Sequence, residues 1–305
     1  MAAFLIVAGV GALVAFSTTS VFGPAKSPPL DAHEALPIQL PRGGTKILPD
    51  YRVIAFYGSP GGTRLGQLGA GTPDQVGVQL ADVASDYDSL ERHVMPAFEL
   101  IATIVHDTAG SDGKYRSRLS DDVIDQYLQA ANQQRMLLIL DIQPGRAKFM
   151  DEVRHYAKWL KYPNVSLALD PEWSMRAGEI PGKTYGSTDA ATINEVSAYL
   201  DQIVQTNKLP QKLLVLHEFR DSMIQNRSAI VERPGLATVF NVDGFGTPEA
   251  KTGKYNDLTS DPERPQFVFT GFKLFYEEDT RDNGRIMNWS EVLDLDPQPD
   301  VVVYE

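Results

Sequence analysis

The stretch NVSLALDPEW, residues 164–173, is an apolar run that closes on two acidic residues, Asp170 and Glu172. Strands that alternate with helical segments indicate βαβ units and a parallel sheet. Eight such strands predict an α/β protein with a (β/α)8 TIM barrel. The seven other runs, most of them separated by segments of helical spacing, are RVIAFYG (52–58), PAFELIATIV (96–105), RMLLILDIQ (135–143), KLLVLHEF (212–219), LATVFNVDGFG (236–246), FVFTGFKLFYEED (267–279) and DVVVYE (300–305).

The chain divides into three expected regions. Residues 51–305 are expected to form the barrel domain, with no eighth helix after the last strand. Residues 24–50 contain six prolines and predict a linker, or an arm laid over the amino-terminal end of the barrel. Residues 1–23 carry no charge and are typical of a signal peptide or membrane anchor, with residues 4–22 as the membrane tether. We therefore expect a secreted or membrane-tethered, extracytoplasmic protein.

The composition excludes several classes of function. The net charge of −12 argues against a nucleic-acid-binding protein, which needs a basic face. The chain has no cysteine, which excludes disulfides, thiolate metal sites and a lipid-modified cysteine. The sequence also lacks G-x-S-x-G and H-E-x-x-H motifs, so nothing supports a serine hydrolase triad or a zinc peptidase.

Alternation along the strands predicts which side chains face the barrel axis. In residues 164–173, Val165, Leu167 and Leu169 form one set, so Asp170 and Glu172 fall in the other set, which faces inward. Such a carboxylate-rich mouth is costly to bury unless its groups are paired or bound to a ligand. The same parity turns further polar residues inward at the carboxyl ends of other strands, namely Tyr57, Glu99, Asp141, Gln143, His217, Asp243 and Lys273.

The motif Asp170-Pro171-Glu172-Trp173 resembles the D-x-E of two groups of barrel glycosidases, the chitinase-like enzymes and the D-x-E lysozymes. That resemblance implies that Glu172 is the general acid and that Asp170 supports it. Trp173, next to them in the sequence, is expected to offer a face to a sugar ring. The longer D-x-x-D-x-D-x-E run of the chitinase-like enzymes is absent. The structural alternative pairs Asp170 with Lys273 and makes Glu172 a helix cap.

Two further acids are candidate catalytic residues. Asp243 precedes a glycine in NVDGFG and is a candidate nucleophile, base or substrate clamp, or else fixes the turn. Asp141 lies on the neighbouring strand to Asp170 and is expected to titrate together with it. The expected substrate-binding residues are Tyr57, Glu99, Gln143, Trp173, His217, Lys273 and Tyr276. His217 is alternatively a core histidine or a metal ligand, and Lys273 a neutralising charge.

The whole segment 50–305 resembles a family of bacterial exported or lipid-anchored proteins. The resemblance implies a barrel and an envelope location, and it implies no particular activity. It is carried by the patterns AFYGSP, PAFELIA, YRSRLSDDVID, LLILDIQPG, LALDPEWSM, NVDGFG and FKLFY.

Three functions remain as hypotheses. The first is a glycoside hydrolase that acts without a cofactor on polysaccharide of the cell envelope or the environment. The second is a hydrolase that uses a divalent metal, with Mg²⁺ or Ca²⁺ favoured because one histidine stands among many oxygen ligands. The third is a non-catalytic envelope protein that binds a glycan or a protein partner. The metal ligands in the second hypothesis would be Asp141, Asp170, Glu172, His217 and Asp243.

Overall fold

Eight parallel strands close into a barrel in the computed structural model, which describes residues 37–89, 91–281 and 284–305. The ring closes because the first strand pairs with both the second and the last, with Val53 opposite Met95 on one side and Val301 on the other. The predicted (β/α)8 fold is confirmed. The barrel strands are β1 (Tyr51–Gly58), β2 (His93–Val105), β4 (Leu137–Ile142), β5 (Val165–Leu169), β7 (Lys212–Glu218), β9 (Leu236–Val242), β10 (Phe269–Leu274) and β11 (Val301–Tyr304).

Three short strands lie outside the barrel ring. Strand β3 (Arg116–Arg118) runs antiparallel to the end of β2, and β6 (Thr188–Asp189) pairs with β8 (Ile224–Gln225). These strands belong to the loops that follow barrel strands at their carboxyl ends. They therefore shape the rim of the mouth rather than the barrel wall.

Six α-helices surround the barrel within the described ranges, namely α1 (Pro73–Ser85), α2 (Asp121–Gln133), α3 (Phe149–His155), α4 (Ala190–Asn207), α5 (Pro248–Thr259) and α6 (Trp289–Leu293). The connection between β9 and β10 contains a regular helix, α5. Helix α5 starts at a Thr247 cap, whose side chain accepts from Ala250 N, and it buries Lys251, Tyr255 and Leu258. The buried face includes a lysine, so its helical spacing was not visible as an apolar stripe.

The connection between β7 and β9, which the structure describes throughout, contains no α-helix. It forms two 3-10 turns, at Asp221–Met223 and Arg227–Ala229. Between them Asn226 adopts the left-handed conformation, with φ of 54°, which ends the helical path.

The barrel interior is apolar at its amino-terminal end. There Leu40, Ile47 and Leu48, which precede β1, are buried among inward-facing strand residues such as Val53 and Met95. The side-chain oxygen of Gln211 accepts from the backbone N–H groups of Ile47 and Leu48 at 2.8 and 2.9 Å. Residues 37–50 therefore contribute to the core, whereas the signal or anchor expected for 1–23 lies outside the described residues.

None of the helices in the described ranges is long and apolar enough to span a bilayer.

Candidate active site

The polar side chains meet in a cleft of about 600 Å³ at the carboxyl ends of the strands, the end at which barrel enzymes carry their active sites. Six of the residues expected from sequence lie along this cleft: Tyr57, Gln143, Glu172, Trp173, Asp243 and Lys273. Asp141, Asp170, Glu99 and His217 are fully or almost fully buried and support these residues from below. The cleft therefore has a polar floor supported by a second set of buried charges.

Asp243 is held by three neighbours. The Nδ1 atom of His217 donates to its two carboxylate oxygens at 2.9 and 3.0 Å, and Asn241 Nδ2 donates to it at 2.6 Å. The ammonium of Lys273 lies 3.3 Å from Asp243 Oδ2. Burial alone would raise the pKa of Asp243, but His217 and Lys273 outweigh burial and lower this pKa to about 2. Asp243 is therefore an ionised carboxylate at neutral pH.

His217 connects two acids across the barrel. Its Nε2 atom donates to Glu99 Oε1 at 3.0 Å, opposite the bond from Nδ1 to Asp243. Burial would lower the pKa of His217, yet Asp243, Asp170 and Glu99 together raise it well above the usual value. The ring is thus an imidazolium with both nitrogens engaged, and it does not line the cleft.

A second network joins Tyr57 to the acids of β4 and β5. The Tyr57 hydroxyl lies 2.8 Å from Asp141 Oδ2 and 3.2 Å from Asp170 Oδ2, and Gln143 Nε2 donates to both Tyr57 Oη and Asp170 Oδ2 at 3.1 Å. Burial raises the pKa of Asp141 to about 6, with His217 opposing the rise and Glu99 adding to it. Burial and the nearby Asp141 raise the pKa of Asp170 well above its usual value. The network therefore holds protons that isolated carboxylates would lose.

Lys273 neutralises the floor of the cleft. Its ammonium lies 2.7 Å from Glu305 and 3.5 Å from the centre of the Tyr57 ring, in addition to its contact with Asp243. Burial would lower the pKa of Lys273, but Asp243 and Glu305 raise it well above the usual value. The structure thus pairs Lys273 with Asp243 and Glu305, and not with Asp170 as in the structural alternative.

Glu172 occupies a different environment from Asp243. It lies on a 3-10 turn, Pro171–Trp173, just beyond β5, and its backbone carbonyl accepts from Gly186 N at 2.6 Å. Its side chain is buried in the cleft wall, and among the described residues Oε2 has no hydrogen-bond partner. Burial, Asp170 and Asp243 raise the pKa of Glu172 well above its usual value. The surroundings of Glu172 therefore favour the protonated form of its carboxyl group, and the residue lines the cleft.

Asp141, Asp170 and His217 meet the spatial requirement for a divalent metal, because one ligand atom from each lies within 4.8 Å of the others. Asp141 Oδ1 is buried without a partner among the described residues, which fits a ligand oxygen. The imidazole fits less well, since metal ligation needs a neutral nitrogen and both His217 nitrogens donate to carboxylates. Protons and hydrogen bonds already balance these charges, so we assign no metal to this group.

Aromatic side chains that the sequence reasoning missed form the upper walls of the cleft. Tyr185 and Phe245 are 56% and 64% exposed, which is unusual for rings of this size. Tyr185 packs edge-on against Phe219 at 5.0 Å, and Phe245 against Phe275 at 6.1 Å. These residues lie in or next to loops, where no periodic pattern marks them.

A buried ion pair between Lys251 and Asp279, which we call the Lys251–Asp279 latch, fixes the cleft wall that carries Phe245. Lys251 on α5 and Asp279 are buried 3.1 Å apart, and Asp279 also accepts from Gly246 N at 3.0 Å and Phe275 N at 2.9 Å. The Lys251 ammonium donates to the carbonyl of Gly244 at 2.8 Å. The loops after β9 and β10 are thereby tied into one unit.

Tyr276, which was expected to bind substrate, lies outside both the cleft lining and the buried polar network beneath it. Its ring stacks on Tyr304 with ring centres 5.6 Å apart and packs against the core between barrel and helices. Residues 275–279 lie beyond the end of β10, so strand alternation no longer predicts the direction of the Tyr276 side chain.

The fold and site together define a (β/α)8 barrel with a carboxylate-rich cleft at the carboxyl ends of its strands. No protein-family model matches the chain, and no curated protein matches it. One solved structure that does match is a hyperthermophilic endo-beta-1,4-glucanase in complex with substrate. It is 9% identical with a TM-score of 0.35, and the match covers 69% of this chain and 76% of that chain. A likeness this low carries no argument about activity.

Proposed function

We propose that the protein is a glycoside hydrolase in which Glu172 is the general acid and Asp243 is the base or nucleophile. The observation that carries the proposal is that these two carboxyl groups line the same cleft, while their surroundings raise the pKa of Glu172 and lower that of Asp243. A pair with one protonated and one ionised carboxyl group is the combination that glycoside hydrolysis requires.

In the proposed reaction, Glu172 gives its proton to the glycosidic oxygen as the bond from that oxygen to the anomeric carbon breaks. Asp243 either attacks the anomeric carbon or takes a proton from the water that attacks it. His217 and Lys273 act through Asp243, because their charges keep it ionised and their contacts fix its orientation. The sequence left Asp170, Asp141 and Asp243 open as partners of Glu172. We choose Asp243 because Asp141 and Asp170 lie beneath the cleft, where both accept hydrogen bonds from the Tyr57 hydroxyl.

The proposed substrate is a polysaccharide of the cell envelope or the environment. Trp173, Tyr185 and Phe245 offer apolar ring faces to the carbon–hydrogen faces of sugar rings, while the floor offers hydrogen-bonding groups. A secreted or membrane-tethered location is part of the proposal, and it is supported by the apolar residues 1–23.

Release of reducing ends from a panel of polysaccharides and peptidoglycan tests the proposal. We expect Glu172→Gln and Asp243→Asn to lose activity by about 10²-fold or more. Glu232→Gln and Asp50→Asn are matched controls, since both residues are exposed and precede barrel strands at the end opposite the cleft. Each protein is assayed with and without EDTA, and we expect EDTA to have no effect.

Other outcomes would redirect the assignment. Activity that EDTA abolishes and Mg²⁺ or Ca²⁺ restores would favour the metal-dependent hydrolase. A glycan that raises the melting temperature without being cleaved would favour a binding protein. Full activity in Glu172→Gln would overturn the role of Glu172.

A further inference from the structure

Two cationic side chains, Arg220 and Lys254, lie on the cleft wall. Arg220 is exposed and Lys254 is half-buried, and both line the cleft. No ion pair within 4.0 Å involves either residue in the part of the chain that the structure describes, whereas Lys273 on the cleft floor pairs with Asp243 and Glu305. These two charges are therefore available to a ligand.

Both cationic groups are held at the same place, around Phe219. The guanidinium carbon of Arg220 lies 5.2 Å from the centre of the Tyr185 ring and 5.5 Å from that of Phe219. Lys254 Nζ donates to the Phe219 carbonyl at 3.2 Å. A guanidinium that packs on aromatic faces keeps N–H groups for a carboxylate, which it can bind through two parallel hydrogen bonds.

Gly244, the residue after Asp243, positions the Lys254 stem. A Cβ at Gly244 would lie 2.4 Å from Lys254 Cδ, and Gly244 has a φ of +150°, where only glycine is unstrained. The Lys254 stem thus passes directly over the residue that follows Asp243. The cationic pair and the proposed reaction centre share one wall of the cleft.

We propose that Arg220 and Lys254 form a subsite for a carboxylate group of the glycan, so that the substrate is an acidic polysaccharide. This inference rests on the proposed function and names its substrate class. A chain with a net charge of −12 does not attract a polyanion overall, so recognition has to come from local cations such as these.

An adjoining depression limits where the carboxylate can lie. It shares Phe219, Arg220 and Lys254 with the cleft, and its other walls carry Asp221, Asp257 and Asp261. Those acids would repel a carboxylate, so the acidic group of the glycan belongs on the cleft side of the pair. The pair is thus a specificity element of the cleft itself.

The test uses three acidic glycans, each beside its own carboxyl-reduced form: polygalacturonate, hyaluronan and peptidoglycan glycan strands. Reduction of carboxyl to hydroxyl keeps chain length and linkage. Binding is measured calorimetrically with the Glu172→Gln variant, so that it is read without turnover. We expect at least one acidic glycan to bind about tenfold or more tightly than its reduced form.

The double variant Arg220→Gln/Lys254→Met, built on Glu172→Gln, is expected to lose that preference. Its matched control is Lys183→Gln/Lys208→Gln on the same background. The control removes two exposed lysines that do not line the cleft, and it should keep the preference. In the protein with Glu172 intact, the double variant should raise KM for the acidic glycan and change kcat little.

Equal binding of all acidic and reduced pairs, or a preference that survives in the double variant, would overturn the subsite. No binding of any of the three acidic glycans would overturn it as well. Failure of the proposed function looks different: an acidic glycan would bind with the expected preference, yet the protein with Glu172 intact would release no reducing ends from it.

Discussion

The Nδ1 atom of His217 lies within 3.0 Å of both carboxylate oxygens of Asp243, and its Nε2 atom lies 3.0 Å from Glu99. All three side chains are buried, so water screens these charges little. The arrangement makes His217 a positioning residue that acts through Asp243, rather than a group that touches substrate.

We expect His217→Gln to move the acid limb of the pH dependence of kcat/KM upward by about one to three pH units. The charge of His217 holds the pKa of Asp243 at about 2, so its removal lets Asp243 take up a proton at higher pH. His93→Gln, at an exposed histidine, is the control. An unchanged acid limb in folded His217→Gln would show that Asp243 does not depend on His217.

Leaving-group chemistry separates the roles of Glu172 and Asp243. The dinitrophenolate group of a dinitrophenyl glycoside leaves without being protonated. The rate of Glu172→Gln on this substrate should therefore be within about tenfold of the parent rate, whereas its rate on an ordinary glycoside should fall by about 10²–10⁴-fold. Asp243→Asn should be impaired on both substrates. If Asp243→Asn were the variant that the activated substrate rescues, the two roles would be reversed.

Asp141→Asn should flatten the dependence of stability on pH. The pKa of Asp141 is about 6 in the folded protein, because burial raises it above the usual aspartate value of 3.8 that applies in the unfolded chain. As pH rises, Asp141 loses its proton in the unfolded chain before it does so in the folded protein. The free energy of unfolding therefore falls between about pH 4 and pH 6, by up to about 3 kcal/mol. Denaturant unfolding at pH 4 and pH 7 should show a smaller loss in Asp141→Asn. An equal loss in both proteins would contradict this cause.

The loop after β1 offers a matched pair of glycines. Gly61 and Gly66 have φ angles of +104° and +101°, but only a Cβ at Gly66 would collide, at 2.4 Å from the Tyr57 carbonyl oxygen. We expect Gly61→Ala to cost about 1 kcal/mol and Gly66→Ala at least twice as much. Gly66→Ala should also weaken substrate binding, since neighbouring Leu65 lines the cleft. Equal melting temperatures of the two variants would show that the close contact is relieved at no cost.

The segment before β1 should stabilise the barrel. Ile47 is fully buried in the lower interior, so Ile47→Ala is expected to lower the free energy of unfolding by about 2–5 kcal/mol. Ile38→Ala should change it by less than about 0.5 kcal/mol, because Ile38 is 45% exposed. Similar unfolding free energies for these two variants would mean that the segment contributes little to the core.

The barrel was predictable because each strand is a nearly continuous apolar run, and alternation then placed Asp141 and Asp243 at the mouth. Glu172 follows the end of β5 on a 3-10 turn, so its presence in the cleft depends on that turn rather than on strand parity. Arg220 and Tyr185 come together through loops, and their meeting depends on tertiary packing that no local pattern records.

The Lys251–Asp279 latch has a consequence for how substrate reaches the cleft. Opening the wall around Phe245 would expose a buried ion pair and two backbone hydrogen bonds at once, which is energetically expensive. Leu65 and Tyr185 also line the cleft and are exposed, and this ion pair does not hold them. Motions that widen the cleft should therefore involve Leu65 and Tyr185 more than the wall that carries Phe245.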